Sequence, residues 1–121
     1  MARFIKGDIV VLPFPFSNLS SSKKRPAVIL STPQGDDYIM LQITSQNVKD
    51  NYAVPLLQSD FTSGSLQQNS NIRPNKIFTL DKNLILYKAG HINDSKLNEC
   101  IEKLCSLIKT SHCDVAKEKQ K

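Results

Sequence analysis

The sequence predicts a mainly β domain of the α+β class, a small barrel or sandwich joined by one C-terminal amphipathic helix. Three observations carry this. Short apolar runs rich in β-branched residues recur as far as Ile92, and clusters of Pro, Gly, Asn and Asp stand between them. A stripe of helical period follows only after Asn93.

Taken in order, Asp8 to Phe14 is the first apolar run, with Gly7 at its entry. Pro13 and Pro15 have no backbone N–H, so they belong at a strand end or edge. Ser17 to Ser22 offers small polar groups around one leucine and reads as a loop, closed by the basic run Lys23-Lys24-Arg25. Proline holds the residue before it extended, so Arg25-Pro26 sets Arg25 at the mouth of a second strand, Ala27 to Leu30. Thr32 to Asp37 is dense in turn formers, and Tyr38 to Ser45 is a core strand without a charge. A polar stretch, Gln46 to Asn51, leads to a short strand, Tyr52 to Leu57, interrupted by Pro55. Gln58 to Asn71 is rich in Ser, Asn and Gln and is expected to form a long surface loop. Ile72 to Leu80 resumes a strand through Pro74, Asp81-Lys82-Asn83 turns, and Leu84 to Ile92 returns through Gly90.

The helix begins where Asn93, Asp94 or Ser95 can accept hydrogen bonds from free backbone amides. Leu97, Cys100, Ile101, Leu104, Leu107 and Ile108 recur three or four apart and form one core-facing stripe, with Lys96, Glu99, Glu102 and Lys103 facing away. The expected division is a single domain over 1–112 and a polar tail over 113–121 that has little to bury.

The 121 residues suffice for one core, and 40% hydrophobic with 22% charged residues is ordinary for a soluble globular protein. No apolar run is long enough to cross a bilayer, and Met1-Ala2-Arg3-Phe4 runs straight into the first strand, so the expected location is the cytoplasm without membrane contact. The formal charge of +5 suits a polyanionic partner. Its distribution is more telling: Arg3, Lys6, Lys23, Lys24 and Arg25 stand against the single acid Asp8 before Ala27. Cys100, Cys105 and Cys113 form no CxxC pair and have no zinc-ligand spacing to His91 or His112, so idle thiols and no metal or other cofactor are expected.

The pattern GDIV-x-x-PFPF, then S-x-K-x-RPA-V-I-L-S, then ITSQ, resembles the PemK/MazF family of toxin endoribonucleases from bacterial type II toxin–antitoxin pairs. The similarity continues through LDKNLILYKAGHIN and the amphipathic segment, from about residue 5 to about residue 110. It implies an SH3-like barrel of the CcdB/PemK type, a homodimer whose RNA groove spans two barrels, and a bacterial cytoplasm. It also implies an acidic, partly disordered antitoxin that covers the basic groove and folds as it binds. The Gly-x-Glu element of many MazF-type loops is absent here, which places the chain nearer the PemK-like branch.

Cleavage of single-stranded RNA needs no metal in principle, because the 2′-hydroxyl attacks the adjacent phosphorus and yields a cyclic phosphate and a 5′-hydroxyl. The protein has to align that attack, move protons and stabilise charge on five-coordinate phosphorus. Arg25 suits the last task, since its fork donates two hydrogen bonds while staying charged. Thr44 matches the family threonine beside that arginine. By residue type alone, a basic hairpin end is a solvated turn and threonine an ordinary strand residue; the resemblance makes Arg25 and Thr44 the catalytic candidates.

Substrate-binding candidates are Ser45 and Gln46 at the strand end, and Ser17, Asn18, Lys23 and Lys24 in the loop. Arg73 stands where the family carries an arginine, while the carboxylate that some members place nearby is Asn75 here. Phe16 can stack on an unpaired base or pack beneath the loop. His91 can carry protons, and a satisfied histidine near a strand end accounts for it equally. Two other functions fit the fold: a non-enzymatic CcdB-like gyrase inhibitor, whose C-terminal tryptophan this chain lacks, and an inactive SH3-like binding module.

Overall fold

The computed structural model describes residues 3–14 and 23–110. Strands β1 (Asp8–Phe14), β2 (Lys23–Ser31) and β3 (Asp37–Thr44) form an antiparallel meander. Four more, β4 (Val54–Leu56), β5 (Phe61–Gly64), β6 (Ser70–Asp81) and β7 (Tyr87–Ile92), extend it into one seven-stranded sheet ordered β4-β6-β3-β2-β1-β7-β5. Every pairing is antiparallel, and the sheet curls into a half-barrel beside a single helix, α1 (Asp94–Lys109). The mainly β expectation with a C-terminal helix holds.

The central strands are apolar almost throughout because each buries both faces. Ile9, Val28, Leu41, Ile43 and Ile72 form one core with Leu97 and Cys100 of α1. Val10, Leu12, Phe14, Ala27, Ile29 and Met40 form another on the opposite face, where Phe78 packs edge-on to Phe14 at 5.0 Å. Asn93 caps α1, its Oδ1 accepting the Lys96 N–H at 2.7 Å. Burial pushes the Cys100 thiol up to about 12 from an ordinary 9.0, the nearby Lys96 only partly opposing it.

Several boundaries differ from expectation. β2 begins at Lys23, three residues before the proline that marks it, because Phe14 and Pro13 pair with Lys23 and Lys24. The expected surface loop Gln58–Asn71 instead contains a 3-10 turn, Gln58–Asp60, and the strand β5. β5 exists because Gly64 and Gly90 lie opposite each other; a Cβ on Gly64 would meet the Ala89 carbonyl oxygen at 2.1 Å. In β6, Pro74, Asn75 and Lys76 bulge out between the pairs Arg73–Gln42 and Ile77–Leu41, which is where a proline without an N–H is tolerated. On α1, Ile108 is 72% exposed and leaves the core stripe. Lys96 is not a solvent-facing residue: its ammonium lies 3.7 Å from Asp60 and 3.1 Å from Glu99.

A buried carboxylate anchors the start of β1. Asp8 is fully buried, accepts the Ile5 N–H at 2.9 Å, and lies 2.8 Å from His91 Nδ1 and 3.3 Å from Lys88 Nζ. It joins β1 to β7 on the side where Gly7 packs against His91.

Candidate functional site

Strand alternation sorts the basic residues of β2. Lys23 and Arg25 share the face of Ala27 and Ile29, whereas Lys24 and Pro26 share that of Val28. On β3, Gln42 and Thr44 follow Tyr38 and Met40 onto Arg25's face. The β2–β3 register pairs Val28 with Leu41 and Ala27 with Gln42. Arg25 and Thr44 lie two residues beyond that last pair on their strands. Beyond β3, Thr44 pairs with Asn71 and Gln42 with Arg73. Thr44–Asn71 and Gln42–Arg73 are thus adjacent rows on the face that also carries Arg25 and Ala27, with the two arginines, two strands and two residues apart, at ~12 Å by strand spacing and rise.

Each side chain is held differently. Thr44 Oγ1 accepts the Gln46 N–H at 3.1 Å, which leaves its own hydroxyl proton to donate elsewhere. Arg25 is half-buried, and its Nε is shut off from solvent without a hydrogen-bond partner among the described residues. Arg73 Nε is in the same state, but its Nη2 donates to Asp50 Oδ2 at 2.9 Å. Asp50 Oδ1 accepts the N–H groups of Tyr52 at 3.0 Å and Ala53 at 3.2 Å. Desolvation alone would raise the Asp50 carboxyl; the Tyr52 N–H, the Arg73 guanidinium and the Ala53 N–H outweigh it and hold it below its ordinary value. Arg73 is thus a fixed cation with its carboxylate supplied by Asp50. Asn75, which the resemblance sets at the carboxylate position, is exposed in the β6 bulge.

The sequence candidates divide between two faces. Arg25, Thr44, Lys23 and Arg73 lie on one face of the sheet. Lys24 and Ser45 instead line a cavity of about 580 Å³ on the other face, with the Ser65–Gln68 segment and Tyr87. Gln46 is exposed at the end of β3, its carbonyl 3.5 Å from Asn71 Nδ2. Phe16, Ser17 and Asn18 lie outside the described residues, as does the tail 113–121. His91 is committed to Asp8, which sits four residues along β1 from Leu12, the partner of Arg25. That is ~13 Å of strand, too far for His91 to serve a phosphate held by Arg25. Among the described residues, no group of three or more His, Cys, Asp or Glu could hold a metal ion, and no helix is long and apolar enough to cross a membrane.

Residues 5–108 match the family model of the PemK-like, MazF-like toxins of type II toxin–antitoxin systems. The chain belongs to this family. No curated protein matches it significantly. Its fold is that of solved MazF structures. The MazF of Deinococcus radiodurans in crystal form I superposes with a TM-score of 0.72 at 20% identity, over 91% of this chain and 100% of that one. A mycobacterial endoribonuclease in complex with its cognate antitoxin gives 0.69 at 15% identity, over 92% and 98%. The Mycobacterium tuberculosis toxin MazF-mt6 gives 0.67 at 18% identity, over 86% and 98%. The SH3-like barrel expected of a PemK/MazF toxin is therefore the fold observed. Sequence reasoning missed Asp50, whose only local signal was an Asp two residues before a tyrosine amide in a polar stretch.

Proposed function

We propose that this PemK/MazF-family toxin is a sequence-selective endoribonuclease that cuts single-stranded RNA through the RNA's own 2′-hydroxyl. The observation that carries this is that Arg25 and Thr44 lie on one sheet face, at the neighbouring ends of β2 and β3. The bond from the 2′-oxygen to phosphorus forms as the bond to the 5′-oxygen breaks, and the 5′-oxygen leaves with a proton. The products are a 2′,3′-cyclic phosphate and a 5′-hydroxyl, so no metal is needed for the nucleophile. Arg25 donates to the non-bridging oxygens as charge accumulates, with the Thr44 hydroxyl donating alongside. Lys23, on the same face, and Arg73, fixed by Asp50, attract and orient neighbouring phosphates. The endoribonuclease names of the mycobacterial structures support the activity, and the one in complex with its cognate antitoxin supports an antitoxin as partner; that this partner is acidic and partly disordered belongs to the proposal. A homodimer in a bacterial cytoplasm completes the reading.

The test is cleavage of single-stranded RNA by purified protein with EDTA present, followed by end-group analysis. Arg25→Ala is expected to lower the rate ~100-fold or more with an unchanged circular dichroism spectrum. Full activity in the folded variant, or activity lost in EDTA and restored by magnesium, overturns the mechanism.

A further inference from the structure

We propose that the cavity on the far face of β2 is a subsite for one unpaired nucleobase, with Tyr87 as its stacking platform and Gln67 and Gln68 as readers of its edge. The proposal rests on the RNA-cleaving reading for the identity of the polymer, and it adds residues outside the family motifs.

The cavity, about 580 Å³, lies within the range of small-ligand sites. Its floor is apolar, from Val11 and Pro26, and Tyr87 stands opposite Val11 across the β1–β7 pair. Tyr87, which lines the cavity, is 56% exposed, so its ring is open to a ligand. Tyrosine offers a flat π-face, which every base can use.

The opposite wall is built, not loose. Ser65 N–H donates to the Ala89 carbonyl at 3.2 Å, Gln58 Nε2 donates to the Leu66 carbonyl, and Ser70 Oγ donates to the Gln68 carbonyl at 3.0 Å. The close passage of Gly64 over Ala89 and Gly90 presses this wall against β7. The backbone of the segment is committed, while the side chains of Gln67 and Gln68 stay exposed. A side-chain amide carries both a donor and an acceptor, which is what the mixed edge of a base requires.

Charge agrees with this occupant. Among the described residues no carboxylate lines the cavity, and Lys24 does. Lys24 is also the chain neighbour of Arg25, on the opposite face of the same strand. β2 lies between β1 and β3, so an RNA whose scissile phosphate meets Arg25 has to pass round the Lys23 end of the strand to bring a neighbouring nucleotide to Lys24. The two faces that divide the candidate residues become a division of labour: one face for the phosphate that reacts, the other for a base that selects.

The test uses the Arg25→Ala protein, so that RNA is not consumed, and short single-stranded oligoribonucleotides in a fluorescence anisotropy titration. Tyr87→Ala in that background is expected to weaken binding ~10-fold, and Tyr87→Phe to restore it, since stacking needs the ring and not the hydroxyl. Gln67→Ala with Gln68→Ala is expected to bring the preferred oligomer towards the affinity of a scrambled one. In the Arg25 protein the same pair should broaden the cut-site profile at one position. Unchanged affinity and profile in these variants overturn the subsite even where the parent protein cleaves RNA. A parent protein that binds RNA through Tyr87 but never cuts it upholds the subsite and removes the ribonuclease reading. A parent protein that binds no RNA removes both, and so does binding that responds only to a peptide ligand.

Discussion

Asp8 Oδ1 and His91 Nδ1 lie 2.8 Å apart where the carboxylate is wholly removed from water. The pair ties the first residue of β1 to β7, and Lys88 and the Ile5 amide complete the carboxylate's coordination. Asp8→Ala leaves an amide and two basic groups without their acceptor, and is expected to cost ~3 kcal/mol. His91→Ala is expected to cost ~1 kcal/mol, because Lys88 still faces the carboxylate. Urea unfolding of both variants measures the difference. RNA cleavage by either, at temperatures where it is folded, should match the parent rate, since this cluster sits apart from Arg25.

The Gly64–Gly90 contact makes a second prediction. Gly64 has φ +69°, and an added Cβ would lie 2.1 Å from the Ala89 oxygen, so Gly64→Ala has to open the β5–β7 pair. Gly35 also has a positive φ, +97°, but open space around it. Gly35→Ala is expected to cost ~1–2 kcal/mol from backbone strain alone, and Gly64→Ala clearly more. Thermal unfolding separates the two. Equal losses would mean that close packing between β5 and β7 contributes nothing.

This contact also marks where the sequence stops being informative. β1 was legible to the residue because a strand buried on both faces has to be apolar throughout. The Asn93 cap and the Leu97–Cys100 stripe were legible because capping and helical period are local. β5, by contrast, reads Phe-Thr-Ser-Gly, and its strand identity comes from a partner twenty-six residues away in sequence, Gly64 to Gly90. The family motifs singled out Arg25 and Thr44, and strand alternation puts both on one face. That Lys24 and Arg25 serve opposite faces follows from alternation only once β2 is known to begin at Lys23.

Asp50 supplies the pH dependence. Its folded-state carboxyl is held below the ordinary 3.8, so the unfolded chain binds the proton more readily. The contacts of the ionised carboxylate, the Tyr52 N–H first and then the Arg73 guanidinium and the Ala53 N–H, therefore stabilise the fold above pH ~3.8, and that stability is lost as pH falls further, through the folded value. Asp50→Asn removes the charge but keeps the shape, and is expected to flatten the acid limb of a stability–pH profile. The same variant frees Arg73, so RNA binding by it should change its salt dependence while the site of cleavage stays the same. A parent-like acid limb in Asp50→Asn would show that the ion pair contributes no pH dependence.

The two outermost strands of the sheet have a consequence for association. β4 is three residues long with an exposed Pro55 at its centre, and β5 is four residues ending at a glycine of positive φ. Strands this short, one of them missing an amide donor, present almost no ladder for a foreign strand to extend. Backbone zippering, the commonest route by which β-rich proteins aggregate or capture extended peptides, is thereby blunted at both margins. Whatever engages this toxin has to recognise it through side chains, which is the kind of contact that can tell one sequence from another.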